Sequence, residues 1–337
     1  MQAYVLTRYG GPEVAELRRV PKPVPGPGEV LVRVCAAGLN PVDFKIRRGM
    51  LKLVTRYRLP AVMGNEFAGI VEACGAGVSR FAPGQRVFAR TGKERMGAFA
   101  EYACEAEQNL AAIPDGLSFE QAAAIPLAGL TALQALRDEL HLGPGSRVFI
   151  PGGAGGVGTF AIRIAKWLGA HVATTASPRG RALVEQLGAD EVIDYESEAF
   201  EDRLSGYDGA FDLIGSDTLS RCFDVVRPGG MVVSVAGLPE PQTASKDLDR
   251  GAVLRAMFWL ASWRLRAQAR RNGVTYRFLF MHPSGTELAE LGTLAEAGLL
   301  TPVIDRVLPF AQIDQALADL EAGHAKGKIV VSLQAAG

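Results

Sequence analysis

The segment from Arg147 to Ala170, RVFIPGGAGGVGTFAIRIAKWLGA, constrains the fold more than any other part of the chain. An apolar strand pattern runs directly into a glycine-rich loop, and an amphipathic helix pattern follows. Gly153, Gly155 and Gly158 have the spacing GxGxxG. Glycine permits a tight turn and lets backbone N–H groups approach a ligand, and the helix N-terminus adds the positive end of a dipole. The segment therefore predicts a loop that holds a pyrophosphate, with a purely structural turn as the alternative.

Strand and helix patterns alternate along the middle of the chain, and this context favours the pyrophosphate loop over a structural turn. The predicted strands are residues 147–151, 171–177, 191–195, 209–215 and 231–237, with a further candidate at 276–280. A helix is predicted over residues 216–230. Strands separated by helices pair in parallel through right-handed crossovers, so the pattern predicts a doubly wound α/β sheet.

The first third of the chain has the pattern of a small β-rich domain. Val30, Val32 and Val34 lie on one face of a predicted strand, and short strand patterns recur between Gly and Pro turns up to about Ile113. A helical pattern begins near Ser118. This part of the sequence predicts a small barrel or sandwich.

Composition limits the classes of function. The chain has 337 residues, enough for two domains, and its 48% apolar and 21% charged residues are typical of a globular protein. Basic and acidic residues number 36 each, so no basic surface for nucleic acid is indicated. The four cysteines are far apart, the N-terminus lacks a signal-peptide pattern, and no apolar run has the length of a membrane span. We therefore predict a reduced, cytoplasmic protein without stable membrane insertion.

The end of the second predicted strand of the α/β sheet indicates which coenzyme is bound. It reads TTAS and has no Asp or Glu, the residue type that would bind the ribose hydroxyls of NADH and repel a 2′-phosphate. Ser177, Arg179 and Arg181 follow it, and Tyr195 ends the next strand. Hydroxyls and a guanidinium suit a phosphate, so the sequence predicts NADPH rather than NADH. The alternative is that these arginines lie on a solvated helix face.

Over nearly its whole length the sequence resembles the medium-chain dehydrogenase/reductase superfamily. The matching segments are PGPGEVLVRVCAAGLNPVDFKIRRG, GNEFAGIVEACGAGVSRFAPGQRVFA, GAFAEYA, PLAGLTALQAL, GGAGGVGTFAIRIAKWLGA, LGADEVIDY and GHAKGKIVVSL. The resemblance implies a GroES-like β-rich catalytic domain over residues 1–122 and a Rossmann NADP-binding domain over residues 123–285. It also implies a helical lid inserted at about 245–272, a return segment over 286–337 that completes the catalytic domain, and a possible homodimer.

The resemblance also identifies the positions at which zinc-dependent members of the superfamily carry Cys, His and Cys as catalytic metal ligands. Here these positions are Asn40, Asn65 and Leu127. An amide is a poor zinc ligand and leucine offers no donor, so the sequence predicts no catalytic metal. Without a Lewis acid, hydride transfer requires an electrophile that is already activated. The resemblance is to the zinc-free branch of quinone oxidoreductases and enone (alkenal) reductases, which implies a quinone or an electrophilic α,β-unsaturated carbonyl as substrate.

Asn40 and Lys45 are the expected catalytic residues, because the matching family loop reaches the nicotinamide ribose and the substrate. An ordinary surface lysine is the alternative for Lys45, and a structural ion pair is the favoured role for Asp43 and Glu66. The residues expected to bind the coenzyme are Thr131, Gly153, Gly155, Gly156, Val157, Gly158, Ser177, Arg181, Tyr195, Ala236, Gly237, Phe278 and Phe280. Ala236 and Gly237 are expected at the end of the sixth Rossmann strand, and core packing is the alternative for the phenylalanines.

Three questions stay open at the level of sequence. The chain could reduce quinones but not enones, or it could be a nucleotide-binding structural or regulatory protein that has lost turnover. The Arg- and Trp-rich segment near residue 260 could be a packed lid with solvated arginines, which we favour, or a helix that lies on a membrane surface.

Overall fold

The structure is a computed structural model, and it describes residues 1–55, 57–93 and 95–334. Contacts divide the chain into two compact units. Unit 1 contains Met1–Leu130 and the C-terminal segment from His282, and unit 2 is Thr131–Met281. The domain limits 122/123 and 285/286 given above describe the family domains and stay predictions.

The strands of the described residues are, in chain order, β1 (Gln2–Leu6), β2 (Ala15–Arg19), β3 (Glu29–Leu39), β4 (Ala61–Val62), β5 (Glu66–Cys74), β6 (Arg86–Arg90), β7 (Tyr102–Ala106), β8 (Leu110–Ala112), β9 (Arg147–Ile150), β10 (His171–Ala176), β11 (Glu191–Asp194), β12 (Tyr207–Asp212), β13 (Val226–Ser234), β14 (Thr275–Phe278), β15 (Ile304–Pro309) and β16 (Lys328–Ser332). The α-helices are α1 (Pro41–Arg47), α2 (Phe119–Ala123), α3 (Pro126–Leu133), α4 (Gly156–Trp167), α5 (Pro178–Gln186), α6 (Ser216–Val225), α7 (Ala252–Ala261), α8 (Trp263–Arg271), α9 (Gly285–Glu296) and α10 (Ile313–Ala322).

Unit 1 is built around the long strand β3. Within the described residues, β3 belongs to a seven-stranded sheet in which β15, β16, β3, β5, β6 and β8 follow one another and β7 pairs with β3. β1 forms a smaller sheet with β2 and β4. Alternate residues of β3 point into one core, where Val30 and Val32 lie fully buried with Phe67 and Val87. The expectation of a β-rich, GroES-like domain is confirmed.

Unit 2 is a doubly wound α/β unit, as predicted. Its sheet has the strand order β11-β10-β9-β12-β13-β14 over the described residues, and every pairing is parallel. The order reverses at β9, and the carboxyl ends of β9 and of its neighbours therefore form the edge at which ligands bind in such sheets. The predicted glycine loop follows β9 at this edge.

Two details of unit 2 differ from the expectations. The helix predicted over 216–230 ends at Val225, because Val226 already begins β13 and Gly229 adopts a φ of +84°. Ala236 and Gly237 follow β13, the fifth strand of this sheet along the chain and not the sixth. Four strands of the sheet, β9 to β12, precede β13, and the sixth strand, β14, begins only after α7 and α8.

Candidate functional site

The glycine loop between β9 and α4 has no room for side chains at two of its glycines. A Cβ on Gly153 would lie 2.2 Å from Oγ1 of Thr174, and one on Gly158 would lie 2.4 Å from the carbonyl oxygen of Gly152. Gly155 precedes the first helical residue with extended backbone angles and makes no side-chain cap. The first N–H groups of α4, at Gly156 and Val157, have no carbonyl partner within the helix. The loop therefore offers N–H groups and a helix dipole to an anion.

Hydrogen bonds from the neighbouring strand β10 hold the loop in place. The N–H of Gly152 donates to Oγ1 of Thr175 at 3.0 Å, and the N–H of Gly153 donates to the carbonyl of the same threonine at 3.2 Å. At the start of α5, a Cβ on Gly180 would lie 3.1 Å from Cβ of Ala154. The start of α5 thus packs directly against the loop, and Ser177, which precedes α5, lies at the same edge of the sheet.

Two residues predicted to bind the 2′-phosphate have different surroundings. The side chain of Tyr195, just after β11, is 59% exposed. The guanidinium of Arg181 donates to the carbonyl of Val192 at 3.1 Å and pairs with Glu185 at 3.3 Å. These contacts are compatible with the alternative of a solvated helix face. The role of Arg181 at a phosphate stays a prediction.

The loop after β13 is held by a buried carboxylate. Asp212 is fully buried at the end of β12, and its pKa is raised, mainly by burial. It accepts a hydrogen bond of 2.6 Å from the hydroxyl of Ser234 and another of 2.9 Å from the N–H of Gly215. The same hydroxyl accepts from the N–H groups of Ala236 and Gly237, at 3.1 and 2.8 Å. Asp212 therefore fixes the two residues predicted to pass the nicotinamide.

A second buried charge cluster holds the segment that contains Phe278 and Phe280. Arg277, at the end of β14, is 1% exposed. Its guanidinium contacts Glu240 at 3.1 Å, Asp247 at 2.5 Å and Glu139 at 3.3 Å. The other carboxylate oxygen of Asp247 accepts from the N–H of Phe280 at 3.0 Å. The cluster ties the segment before α7 to the end of β14, and the sequence analysis did not identify Arg277.

In unit 1, Asn40 belongs to a buried ionic group. Its Nδ2 donates to Glu66 at 2.6 Å, and its Oδ1 accepts from Nζ of Lys328. That ammonium also donates to Glu66 at 2.7 Å, and the second oxygen of Glu66 accepts from the N–H of Leu127 at 2.6 Å. Asn40, Glu66 and Lys328 are each at most 2% exposed. Asn40 thus has one donor and one acceptor position engaged within the protein, and its expected catalytic role stays a prediction.

Asp43 and Asn65 form a second buried pair next to this group. Nδ2 of Asn65 donates to Asp43 at 2.7 Å, and the backbone N–H of Asn40 donates to the other carboxylate oxygen at 2.7 Å. Asp43 is fully buried, and burial raises its pKa to about 7 despite these hydrogen bonds. Oδ1 of Asn65 is buried and has no hydrogen-bond partner in the described part of the chain. Asp43 is thus a carboxyl group poised to titrate near neutral pH.

Lys45 lies on helix α1, and its side chain is half-buried. Burial lowers the pKa of its ammonium. Lys45 therefore differs from a fully solvated surface lysine.

Thr131, which is expected to bind the coenzyme, lies near the end of α3 and is 4% exposed.

Sequence reasoning missed Lys328, the cation at the centre of the group in unit 1. The signal was a lysine at the start of an otherwise apolar strand, in GKIVVSL. Lysine is almost never fully buried unless it is paired, so a buried acid had to lie opposite. The structural ion pair favoured for Glu66 does form, but its partner stands 262 positions later in the chain.

Over residues 1–55, 57–93 and 95–334, no three His, Cys, Asp or Glu side chains are grouped so that they could hold a metal ion. No helix in the same ranges is both long and apolar enough to cross a lipid bilayer.

The two units and their sites define a class: an oxidoreductase with a GroES-like unit and a Rossmann unit. Residues 26–115 match the family model for the alcohol dehydrogenase GroES-like domain, and residues 187–331 match the model for zinc-binding dehydrogenases. The chain is 43% identical to a quinone oxidoreductase of Pseudomonas aeruginosa over 70% of this chain and 73% of that protein. It is 34% identical to an NADPH-dependent alkenal/one oxidoreductase, chloroplastic, of Arabidopsis thaliana, over 98% of this chain and 79% of that protein.

A solved structure of the quinone oxidoreductase from Coxiella burnetii has the same fold, with a TM-score of 0.86 and 32% identity over 99% of each chain. The chain belongs to the medium-chain dehydrogenase/reductase superfamily, in the branch of quinone oxidoreductases and alkenal reductases. The predicted family is confirmed. The cytoplasmic location stays a prediction, since one of these relatives is named chloroplastic.

We expect Lys328→Met to destabilise the protein strongly, because Glu66 would then be a buried and unpaired charge. Breaking such a pair from one side costs about 3–5 kcal/mol, whereas the double variant Glu66→Gln/Lys328→Met should recover much of the loss. The measurement is urea unfolding of each variant. The control is Arg203→Met, which breaks the solvent-exposed pair with Glu198 and should cost about 1 kcal/mol or less. Equal losses of unfolding free energy in Lys328→Met and Arg203→Met would contradict a stabilising role for the buried pair of Glu66 and Lys328.

Asp43 should make the free energy of unfolding depend on pH. Its folded-state pKa of about 7 lies above the usual value of 3.8, so its contribution is present at low pH and is lost as pH rises through 7. Between pH 5.5 and 8.5 the loss should be about 2 kcal/mol. Unfolding in urea at both pH values should show this loss for the parent protein and a smaller loss for Asp43→Asn. An identical pH dependence in the two proteins would show that Asp43 does not titrate in this range.

Proposed function

We propose that this chain is an NADPH-dependent, zinc-independent reductase of quinones or α,β-unsaturated carbonyls. The observation that carries the proposal is the hydrogen bonding of the two amides at the metal-ligand positions of the family. Asn40 is held between Glu66 and Lys328, and Asn65 donates to Asp43. A metal ion at the carbonyl oxygen of Asn40 would lie beside an ammonium group. This donor set therefore favours hydride chemistry without a Lewis acid.

The residues of unit 2 fit a dinucleotide. The glycines at 153 and 158 leave space that a Cβ would fill, and the N-terminus of α4 supports a pyrophosphate. Ser177, Arg181 and Tyr195 are the proposed contacts of the 2′-phosphate. The residues proposed along the nicotinamide end are Thr131, Ala236, Gly237, Phe278 and Phe280. When bound, NADPH would supply the hydride.

The proposed substrates match what the residues of unit 1 can offer. Hydride addition to a quinone or to the β-carbon of an enone places negative charge on a carbonyl oxygen. The ammonium of Lys45, with its lowered pKa, would donate a hydrogen bond to that oxygen and stabilise the charge. Asn40 would act by fixing the start of α1, on which Lys45 stands. No side chain is assigned as an obligate acid, so we propose that water or a coenzyme hydroxyl protonates the enolate.

Lys45→Ala should lower kcat/KM for an enone by about tenfold or more, because a charged donor to the oxyanion is lost. Lys45→Arg should recover part of the rate. The assay is the loss of NADPH absorbance with a panel of enones and quinones, and mass spectrometry of the product identifies the saturated ketone. Lys52→Ala, an exposed lysine near the same helix, is the matched control.

If kcat/KM for an enone is the same in Lys45→Ala and in the Lys52→Ala control, Lys45 has no catalytic role and is an ordinary surface lysine. Activity confined to quinones would favour the narrower quinone reductase. NADPH binding without oxidation across the panel would favour the non-catalytic alternative.

Arg181→Ala should reduce the preference for NADPH over NADH by about tenfold, the effect of one lost charge-assisted hydrogen bond. The measurement is kcat/KM with each coenzyme at a fixed electrophile concentration. Arg203→Ala, an exposed arginine of the same unit, should leave the ratio unchanged. A parent protein that uses both coenzymes equally, or an unchanged ratio in Arg181→Ala, would refute this coenzyme assignment.

A further inference from the structure

Helices α7 and α8 present large apolar side chains to solvent. We call them, with the exposed arginines beside them, the Trp-Arg surface. The exposed fractions are 77% for Val253, 45% for Met257, 56% for Trp259, 65% for Leu260 and 48% for Trp263. Monomeric soluble proteins rarely expose so many large apolar side chains side by side. None of the residues proposed to contact coenzyme or substrate lies in α7 or α8.

The sequence of α7 concentrates these side chains on one side of the helix. Val253, Met257 and Leu260 are spaced four and three residues apart, which places them on one helical face. Phe258 is the buried residue of α7, and it anchors the opposite side of the helix. An amphipathic helix of a globular protein normally turns its apolar stripe toward the core. Here the apolar stripe faces solvent, so several neighbouring apolar side chains, and not a single one, are exposed together.

The charged residues within the segment that carries the stripe are all basic. Residues 250–273 contain six arginines and no Asp or Glu, although the whole chain is electrically balanced. Arg255, Arg264, Arg270 and Arg271 are exposed. The guanidinium of Arg264 lies 5.5 Å from the ring centre of Trp263. Cationic heads next to indole rings and aliphatic side chains match the boundary between charged headgroups and acyl chains.

We propose that the Trp-Arg surface binds an anionic lipid bilayer peripherally, with α7 lying in the plane of the interface. The charge pattern favours this partner over a second copy of the chain, because a two-fold contact would bring the same arginines face to face. It also favours a bilayer over nucleic acid, since phosphates alone would leave the apolar stripe in water. Helix α7 has 10 residues, about half of what a bilayer span requires, so the proposed contact is confined to the interface. The packed lid favoured from the sequence is the competing role.

The first test uses tryptophan fluorescence in the full-length chain. The protein has three tryptophans, so Trp167→Phe leaves Trp259 and Trp263 as the reporters. Vesicles of phosphatidylcholine with about 30 mol% phosphatidylglycerol should shift their emission to the blue and pull the protein down on sedimentation. Vesicles of phosphatidylcholine alone should bind much more weakly, and added salt should weaken binding to the anionic vesicles. Equal binding to both vesicle types, or no binding at all, would overturn the proposal.

The second test compares matched variants on the same anionic vesicles. Leu260→Glu places a carboxylate in the stripe and should weaken binding by about tenfold or more. Arg270→Gln/Arg271→Gln should weaken it and reduce its salt dependence. Val24→Glu is the control, because Val24 is also exposed, at 85%, but lies in unit 1. Circular dichroism checks that each variant is folded.

Three results of the second test would count against a lipid partner. Equal weakening by Val24→Glu would show nonspecific charge effects. A dimer in sedimentation velocity that Leu260→Glu dissociates, with vesicle binding unchanged, would assign the surface to a second copy. A raised KM for a water-soluble electrophile in Leu260→Glu, again with vesicle binding unchanged, would make α7 a substrate lid.

Discussion

The buried ion pair between Glu66 and Lys328 is the interaction on which the organisation of unit 1 depends. It joins β5 to β16, a strand from the far end of the sequence. Burying two charges is costly unless their remaining hydrogen-bonding groups are satisfied. Here the carboxylate also accepts from the amide of Asn40 and the N–H of Leu127, and the ammonium also donates to the carbonyl of Leu39 at 3.0 Å. The C-terminal segment is therefore an integral part of the candidate site.

Unit 2 also contains buried charges whose hydrogen bonds are satisfied, and there they fix the backbone of loops. Asp212 and Arg277 are buried charges at the carboxyl ends of β12 and β14, and both are compensated by several hydrogen bonds. Neither one is among the residues proposed to contact the coenzyme. Each instead fixes backbone that the sequence assigns to the nicotinamide end: residues 236 and 237 in the first case and residue 280 in the second. Buried polar groups satisfied in this way make the positions of these loops specific.

The fold could be predicted from sequence because its signals are local. The glycine loop, the alternation of strands and helices and the valines of β3 each require only a short window of residues. The buried charge clusters could not be predicted in the same way. Lys328 and Glu66 are far apart in sequence, and nothing local assigns one to the other. Arg277 stands within a short aromatic run, and its three acidic partners are likewise distant. Ladder pairings and crossovers decide such contacts, so the positions of buried charges follow from the fold.

The amides Asn40 and Asn65 lie among buried charges of both signs. Asp43 and Glu66 are two buried acids, and the buried cations near them are Lys328 and Arg90, whose pKa is lowered mainly by burial. This part of the structure thus contains its own positive charge, in the form of side chains. The two acids already match these cations in number, so a divalent ion added here would find no uncompensated negative charge. Neutral amides, in contrast, bridge the charges through hydrogen bonds, as Asn40 does between Glu66 and Lys328. We therefore expect that a metal ligand introduced at position 40 or 65 would not by itself create a metal site, because the two cations would remain.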